Sequence, residues 1–307
     1  MKKLYDFYKK ITKKYHLQDK FPTIEIFKTD FVTTFSKNNN RLIPIEINDE
    51  IAVILTVVHT FDWAQNPLVK VTIYANETVN SKNITTKIHD VIDELILTEP
   101  QVAVSVFNDE FAYILQKYDR QIQLNSNAYR LRKKDIDVNK FIEINVPQYF
   151  KIQYFQGIPD ELIQAYCDFS NLVFDDMPDK YEPAFVPYEL TYQKQIRMNE
   201  NNAKNGNIHH CVLLFDDEKI IGMTNVSQTK GLPFLYQFMF GIHPDYRGKG
   251  LGCVFQSVMY DKLYTEVGFE EVLVYHHPKN LASIRLSEWL GFEFAHKETT
   301  YIVRNLT

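Results

Sequence analysis

Residues His243 to Gly252 read His-Pro-Asp-Tyr-Arg-Gly-Lys-Gly-Leu-Gly. They follow an apolar run, Phe234 to Ile242, that reads as a strand, and they precede an apolar-periodic stretch, Cys253 to Leu263, that reads as a helix. A strand that passes into a helix through three alternating glycines confines the chain to folds that mix strands with helices. Glycine is costly in chain entropy, and it lets backbone N–H groups turn toward a ligand. The helix start adds positive partial charge. With Arg247 and Lys249 beside it, the junction is an anion site suited to a phosphate-bearing cofactor.

Two familiar phosphate loops do not fit. A dinucleotide fingerprint, G-x-G-x-x-G, counted from Gly248 demands glycine at 253, where Cys253 stands. A P-loop needs G-x-x-x-x-G-K followed by Ser or Thr, but Gly250 follows Lys249 and His243 occupies the first glycine position.

Around the loop, Pro159 to Phe174 has Leu162, Ile163, Tyr166 and Phe169 on one helical face. An acidic, Pro-containing loop follows, Asp175 to Asp179, and Leu190 to Glu200 forms a second helix. Cys211–Phe215 and Ile220–Val226 read as a hairpin. After the loop helix, with Gly268 as its stop, come a strand at Glu271–His276 and a helix at Ala282–Leu290 stopped by Gly291. Two closing strands fall at Phe292–Ala295 and Thr299–Val303. The order is α/β or α+β with a mixed sheet.

The first half echoes the second. Ile51–His59 and Leu68–Ala75 resemble hairpin strands, Ile84–Leu97 a helix and Gln101–Phe107 a strand. Asn108 then begins a helix-like run to Tyr118, as long as the run from Asn280 to Leu290. This suggests a diverged tandem repeat. The charge-rich stretch Arg130–Asp137 and Pro147 place the boundary near residue 145, giving domains 1–145 and 146–307.

The chain has 307 residues, long for one domain. A net charge of −5 argues against a general nucleic-acid binder. The three cysteines are far apart and lack metal-ligand spacing, which fits a reducing cytoplasm. His209-His210-Cys211 cannot converge on one metal from a strand, so no metal site is expected. The lysine-rich start has Leu4, Phe7, Tyr8 and Ile11 at helical spacing, as in a docked terminal helix, with a membrane-surface helix as the alternative. No segment is long and apolar enough to span a membrane.

The segment Ile242 to Gly252, Ile-x-Pro-x-x-Arg-Gly-x-Gly-x-Gly, resembles the pyrophosphate loop of the GNAT superfamily of acyl-CoA-dependent N-acetyltransferases. A second stretch, Asn280, Ser283, Ile284, Leu286, Leu290, Gly291 and Phe292, is similar to that superfamily's second signature. The chain as a whole resembles tandem two-copy GNAT proteins, each copy a mixed, mostly antiparallel sheet flanked by helices. In the first half, the loop position holds Asn76-Glu77-Thr78-Val79-Asn80-Ser81. It has no glycine, and Glu77 would repel phosphate, so that copy is expected to have lost cofactor binding.

The resemblance implies acetyl-CoA as acyl donor, with no metal. It implies that the strand ending at Ile242 bulges and splays from the strand ending at His276, with the pantetheine arm between them. Backbone groups of Phe240, Gly241 and Ile242 would hold the arm and polarise the thioester carbonyl. Arg247, Gly248, Lys249, Gly250, Leu251 and Gly252 would hold the pyrophosphate, and Asn280 would bond the arm or cap a helix. Where relatives often carry a tyrosine acid, this chain has Ser287, a far weaker acid. Tyr275 and His277 share one strand face near the reaction centre, and His277 suits base work, or else merely ends its strand. Phe174, Asp175, Asp176 and Tyr236 would line the acceptor pocket, with an aspartate attracting a cationic amine.

These implications add up to a cytoplasmic, monomeric or homodimeric N-acetyltransferase. It would acetylate a primary amine of a small molecule by direct attack in a ternary complex. A non-catalytic acyl-CoA-binding module, or an N-terminal acetyltransferase of peptides or proteins, is the alternative.

Overall fold

The computed structural model describes residues 1–14, 35, 39–62, 64–75, 82–142 and 150–306. These form two compact units, each assembled from separate stretches of chain. The first is Met1–Asn127, Asp179–Pro187 and Ala295–Thr307; the second is Ala128–Pro178 and Tyr188–Phe294. The expected boundary near residue 145 lies outside the described residues, as does the loop at 76–81.

In the first unit, helix α1 (Lys2–Lys14) precedes strands β1 (Arg41–Ile47), β2 (Glu50–Phe61) and β3 (Pro67–Ala75). Helix α2 (Lys82–Thr98) leads to β4 (Val102–Phe107). The β1–β2 and β2–β3 pairs are antiparallel and β3–β4 is parallel. Ile84, Ile88, Ile92 and Leu95 of α2 recur every three or four residues, and they bury against Val53, Leu55, Val71 and Val104 of the strands. Helix α1 packs Phe7 and Ile11 onto Ile54 and Phe107, so it is docked, with Lys2, Lys3, Lys10 and Lys13 exposed.

The run from Asn108 to Tyr118 is not an α-helix. Asn108 and Asp109 both have positive φ, at 50° and 58°. The bonds that follow join Glu110 to Phe107, Ala112 to Asp109, Ile114 to Phe111 and Tyr118 to Leu115, all three residues apart. That is the pattern of turns and a short 3₁₀ helix, Ile114–Lys117. Apolar spacing of three and four fits both helix types, which is why the pattern misleads. Strand β5 (Asp119–Arg132) follows.

The two closing strands are one, β11 (Glu293–Arg304). Its polar middle, His296-Lys297-Glu298, reads as a break. Yet the Lys297 carbonyl accepts from the Asn108 N–H at 2.8 Å, and the Lys297 N–H donates to Asn108 Oδ1 at 2.9 Å. Residues 298–303 then pair antiparallel with β4 in the first unit.

In the second unit, β6 (Phe150–Gln156) leads to α3 (Ile163–Asp175) and α4 (Tyr192–Asn205). Then come β7 (Ile208–Asp216), β8 (Lys219–Gln228), β9 (Phe234–Ile242), α5 (Leu251–Glu266), β10 (Glu271–His276) and α6 (Leu281–Leu290). Strands β6 to β9 pair antiparallel in sequence, and β9 pairs parallel with β10. Strand β7 alternates cleanly: Cys211 and Leu213 join the cluster under α3, while Val212 and Leu214 join the one under α5. Each face of this sheet thus carries a helix.

Candidate functional site

The site begins where two parallel strands part. Strand β9 pairs with β10 from Phe234 beside Glu271 to Gln237 beside Val274. The ladder ends there, although β9 runs on to Ile242 and β10 to His276. On its other edge β9 carries a bulge. Asn225 of β8 faces Met239 and Val226 faces Gln237, leaving Phe238 as the extra residue. A bulge bends its strand and re-aims the backbone. The segment Phe238–Ile242 therefore has an edge that makes no ladder bonds to β10.

That segment runs into the glycine loop. A 3₁₀ turn, Pro244–Tyr246, precedes Gly248 and Gly250, both at φ 75°. A Cβ at either would have nothing within 4 Å, so backbone conformation, not crowding, demands glycine. Gly252 is different: its φ is not positive, and a Cβ there would make ordinary contact, 3.4 Å from the Phe240 ring. Gly250 is the N-cap of α5. Helix geometry supplies no acceptor for the amides of Leu251 and Gly252, which follow it.

Side chains pin the loop. The Tyr246 hydroxyl donates to Asp216 at 2.5 Å, and Lys249 sits 5.1 Å over the Tyr246 ring. The Arg247 Nε–H donates to the Ile242 carbonyl at 2.9 Å, and Nη1 pairs with Asp176 at 2.5 Å. Asp176, expected in the acceptor pocket, is thus an ion-pair partner of the loop. Gly241 is buried, and a Cβ there would lie 2.3 Å from Val173 Cγ2 of α3. It is a close-packing glycine that lets α3 approach β9. Phe240 stacks on Phe255 of α5, with ring centroids 5.2 Å apart, and Ile242 packs against the same cluster.

At the end of β10 the expected catalytic residues have different partners. His277 is buried; its Nδ1 accepts from the Lys279 N–H at 3.1 Å and its carbonyl from the Asn280 N–H at 2.8 Å. A neutral ring accepting at Nδ1 carries its proton on Nε2, which leaves no lone pair for an amine's proton. That geometry shapes the turn into α6 and argues against His277 as a base. Asn280 caps α6, its Oδ1 accepting from the Ser283 N–H at 3.3 Å. Ser287 is buried and lies 2.7 Å from His276 Nε2, a partner the sequence reading did not assign. Burial pushes the His276 imidazole down to about 4, so the pair is uncharged at neutral pH and offers a hydrogen bond.

On the α3 side of the sheet, Tyr236 is 41% exposed and its ring lies 5.8 Å from that of Tyr275. Tyr236 also stacks on Phe238 at 6.5 Å, so an aromatic ledge borders the end of the ladder. Phe174 meets Tyr188 edge-on at 4.8 Å, and Asp175 is exposed at the end of α3. His209 and His210 diverge: His209 bonds Asn225 at 2.8 Å, and His210 bonds the Tyr154 hydroxyl at 2.7 Å. Among the described residues, no group of three His, Cys, Asp or Glu side chains is placed to hold a metal, and no helix is long and apolar enough to cross a membrane.

Residues 166–293 match the family model described as acetyltransferase (GNAT) domain. No protein of curated function matches the sequence. Among solved structures, a tandem GNAT protein from the clavulanic acid biosynthesis pathway is 14% identical. It covers 99% of this chain and 95% of its own, with a TM-score of 0.63. A GCN5-related N-acetyltransferase from Sphaerobacter thermophilus is 13% identical over 99% and 93%, with a TM-score of 0.65. One from Kribbella flavida is 10% identical over 94% and 98%, with a TM-score of 0.54. At such identities the likeness is one of fold.

Proposed function

We propose that this chain, whose residues 166–293 are a GNAT domain and whose fold is that of tandem GNAT proteins, transfers an acetyl group from acetyl-CoA to a primary amine of a small molecule. The observation that carries the reading is the parting of β9 from β10 after Gln237 and Val274, immediately before a loop with two glycines at φ 75°. An edge of strand without ladder bonds can take an extended, amide-bearing arm as an added strand. The loop amides at the start of α5 can take the phosphates at the arm's end.

The donor set fits such a ligand. Gly248 and Gly250 leave open space where side chains would stand, and Lys249 is exposed on the same loop. A bound thioester supplies an activated acyl carbon and a thiolate leaving group. Backbone groups of Phe240, Gly241 and Ile242 would polarise its carbonyl, and Asn280 stands at the start of α6, where the arm would pass. Ser287, held by His276, would offer the departing sulfur a hydrogen bond rather than a proton. That suffices for a thiol, whose pKa of about 8.5 makes it a tolerable leaving group. The ledge of Tyr236 and Tyr275, with Phe174 and Asp175 on α3, would grip the acceptor.

The engaged Nδ1 of His277 favours a second reading, a module that binds acyl-CoA without turnover. Calorimetry with CoA and acetyl-CoA, followed by a transfer screen over a panel of small amines and peptide N-termini, separates them. Micromolar binding with transfer to a small amine is the expected result. Binding without transfer to any acceptor selects the module, and no binding of CoA ends both readings.

A further inference from the structure

A chain of buried polar side chains crosses the core beneath the point where β9 leaves β10. The Tyr260 hydroxyl of α5 donates to Gln237 Oε1 at 2.6 Å. Gln237 Nε2 donates to Thr224 Oγ1 at 3.2 Å, and Thr224 Oγ1 donates to Gln256 Oε1, back on α5, at 3.1 Å. All four residues are at most 3% exposed, and they sit among Val226, Leu235, Phe255 and Met259. Such a chain adds little stability over well-packed apolar side chains, because the same groups would bond water in the unfolded protein. Its value lies in specifying one arrangement, since every member must find its partner.

That arrangement is the bulge. Ahead of Phe238, the odd-numbered residues Leu235 and Gln237 face α5; beyond it, the even-numbered Phe240 and Ile242 do. One looped-out residue switches the parity. In an unbulged register that kept Phe240 and Ile242 on α5, Gln237 would turn to the α3 face, away from Tyr260 and Thr224. An apolar residue at 237 would tolerate either register, but a glutamine bonded to Tyr260 tolerates only the bulged one. Gln237 is also the last residue of β9 paired with β10.

We infer that Tyr260, Gln237 and Thr224 are positioning residues that lock the β9 bulge and thereby aim the Phe238–Ile242 backbone at the thioester carbonyl. The inference rests on the acetyltransferase reading of this site, and it concerns residues that touch no ligand.

The test needs no acceptor. Acetyl-CoA labelled with carbon-13 at the thioester carbonyl is bound to the full chain, and its carbonyl stretch is read by infrared difference spectroscopy. Affinities for CoA, acetyl-CoA and S-ethyl-CoA, which lacks the carbonyl, are measured alongside. The wild type is expected to lower the stretch relative to water and to prefer acetyl-CoA over S-ethyl-CoA. In Tyr260→Phe, Gln237→Leu and Thr224→Val the lowered stretch should be lost, and that preference should shrink by about fivefold, the worth of roughly one hydrogen bond. CoA affinity, set by the loop, should hold within about twofold. Thr224→Ser keeps the hydroxyl and should keep the wild-type stretch. Tyr260→Phe removes a single oxygen, so it carries the test if Gln237→Leu does not fold. A folded Tyr260→Phe that retains both the lowered stretch and the preference overturns the inference alone. A wild type that binds neither CoA nor acetyl-CoA overturns the acetyltransferase reading and this inference with it.

Discussion

In the first unit β3 and β4 run parallel from Val69 beside Val102 to Thr72 beside Ser105. In the second, β9 and β10 run parallel from Phe234 beside Glu271 to Gln237 beside Val274. Both ladders stop after four residue pairs, while their strands continue. The surroundings differ. Strand β2 pairs with β3 in an unbroken register, whereas β8 and β9 carry the bulge at Phe238. Strand β4 ends in two left-handed residues and a 3₁₀ turn, and Asn108 bonds Lys297 of β11. Strand β10 ends in the His277 turn and an α-helix that Asn280 caps. Residues 76–81 offer no glycine, where the second unit has three. A parallel ladder can therefore part without a bulge on its neighbouring pair. The proposed presentation of backbone to a ligand draws on a bulge in the parted strand, positive-φ glycines and a cap on the following helix, a combination found in the second unit alone among the described residues.

The largest expected effect that would sharpen this contrast is acid sensitivity of the second unit. Burial holds His209 and His276 down to about 4, against 6.5 when unfolded. Unfolding thus takes up protons as pH falls below 6.5. Stability from these groups is complete above about pH 6.5 and declines toward pH 4, by up to about 3 kcal/mol for each. Trp63→Phe leaves Trp289, in the second unit, as the one tryptophan. Urea melts followed by its emission should shift to lower urea between pH 7 and pH 4.5. His276→Gln should lose part of that shift. A pH-independent midpoint would contradict the burial argument.

Next comes the loop. Gly248→Val with Gly250→Val forces two β-branched residues to φ 75°, at about 1–2 kcal/mol each. CoA affinity should fall by about a hundredfold, while hydrogen exchange of α2 in the first unit stays unchanged. Equal affinity in the double variant would show that the second unit does not bind CoA through this loop, and the contrast between the units would lose its functional meaning.

The elements behind this contrast were legible to different degrees. The bounds of β9 and β10 are those the sequence gives, because each is an apolar run flanked by Pro or Gly that closes it. Strand β1 is not singled out: Pro44 interrupts it, which an edge strand paired only with β2 tolerates. The glycines of the loop announce their positive φ through residue type. Partner choice is not written in any period. Asp176 on Arg247, His276 on Ser287 and Asp216 on Tyr246 are tertiary contacts, 71, 11 and 30 residues apart in sequence respectively. The bulge is implied by the family resemblance but shows in no period, since its parity switch looks like an ordinary apolar run.

A smaller effect tests Gly241, whose role is close packing rather than φ. Gly241→Ala should cost about 1–3 kcal/mol of stability, because its Cβ would lie 2.3 Å from Val173 Cγ2. Adding Val173→Ala removes the clash, so the double variant should recover part of the loss, a coupling that a double-mutant cycle in urea reads directly. Additive losses would mean that α3 does not rest on β9 as described.

The smallest effect decides whether backbone or side-chain charge would hold the phosphates of CoA at the proposed site. Asp176 and Arg247 are each about half exposed, at 51% and 46%, and such a pair is worth about 0–1 kcal/mol. Asp176→Asn frees the guanidinium from its carboxylate. If Arg247 serves phosphate directly, CoA should bind up to about fivefold tighter, and the gain should vanish in high salt, where exposed charges are screened. If the glycine amides carry the site, affinity should hardly change. That outcome places the proposed anion site of the second unit in backbone conformation, which Gly248 and Gly250 permit. Weaker binding would instead make Asp176 the residue that orients Arg247, with the loop working as a side-chain clamp.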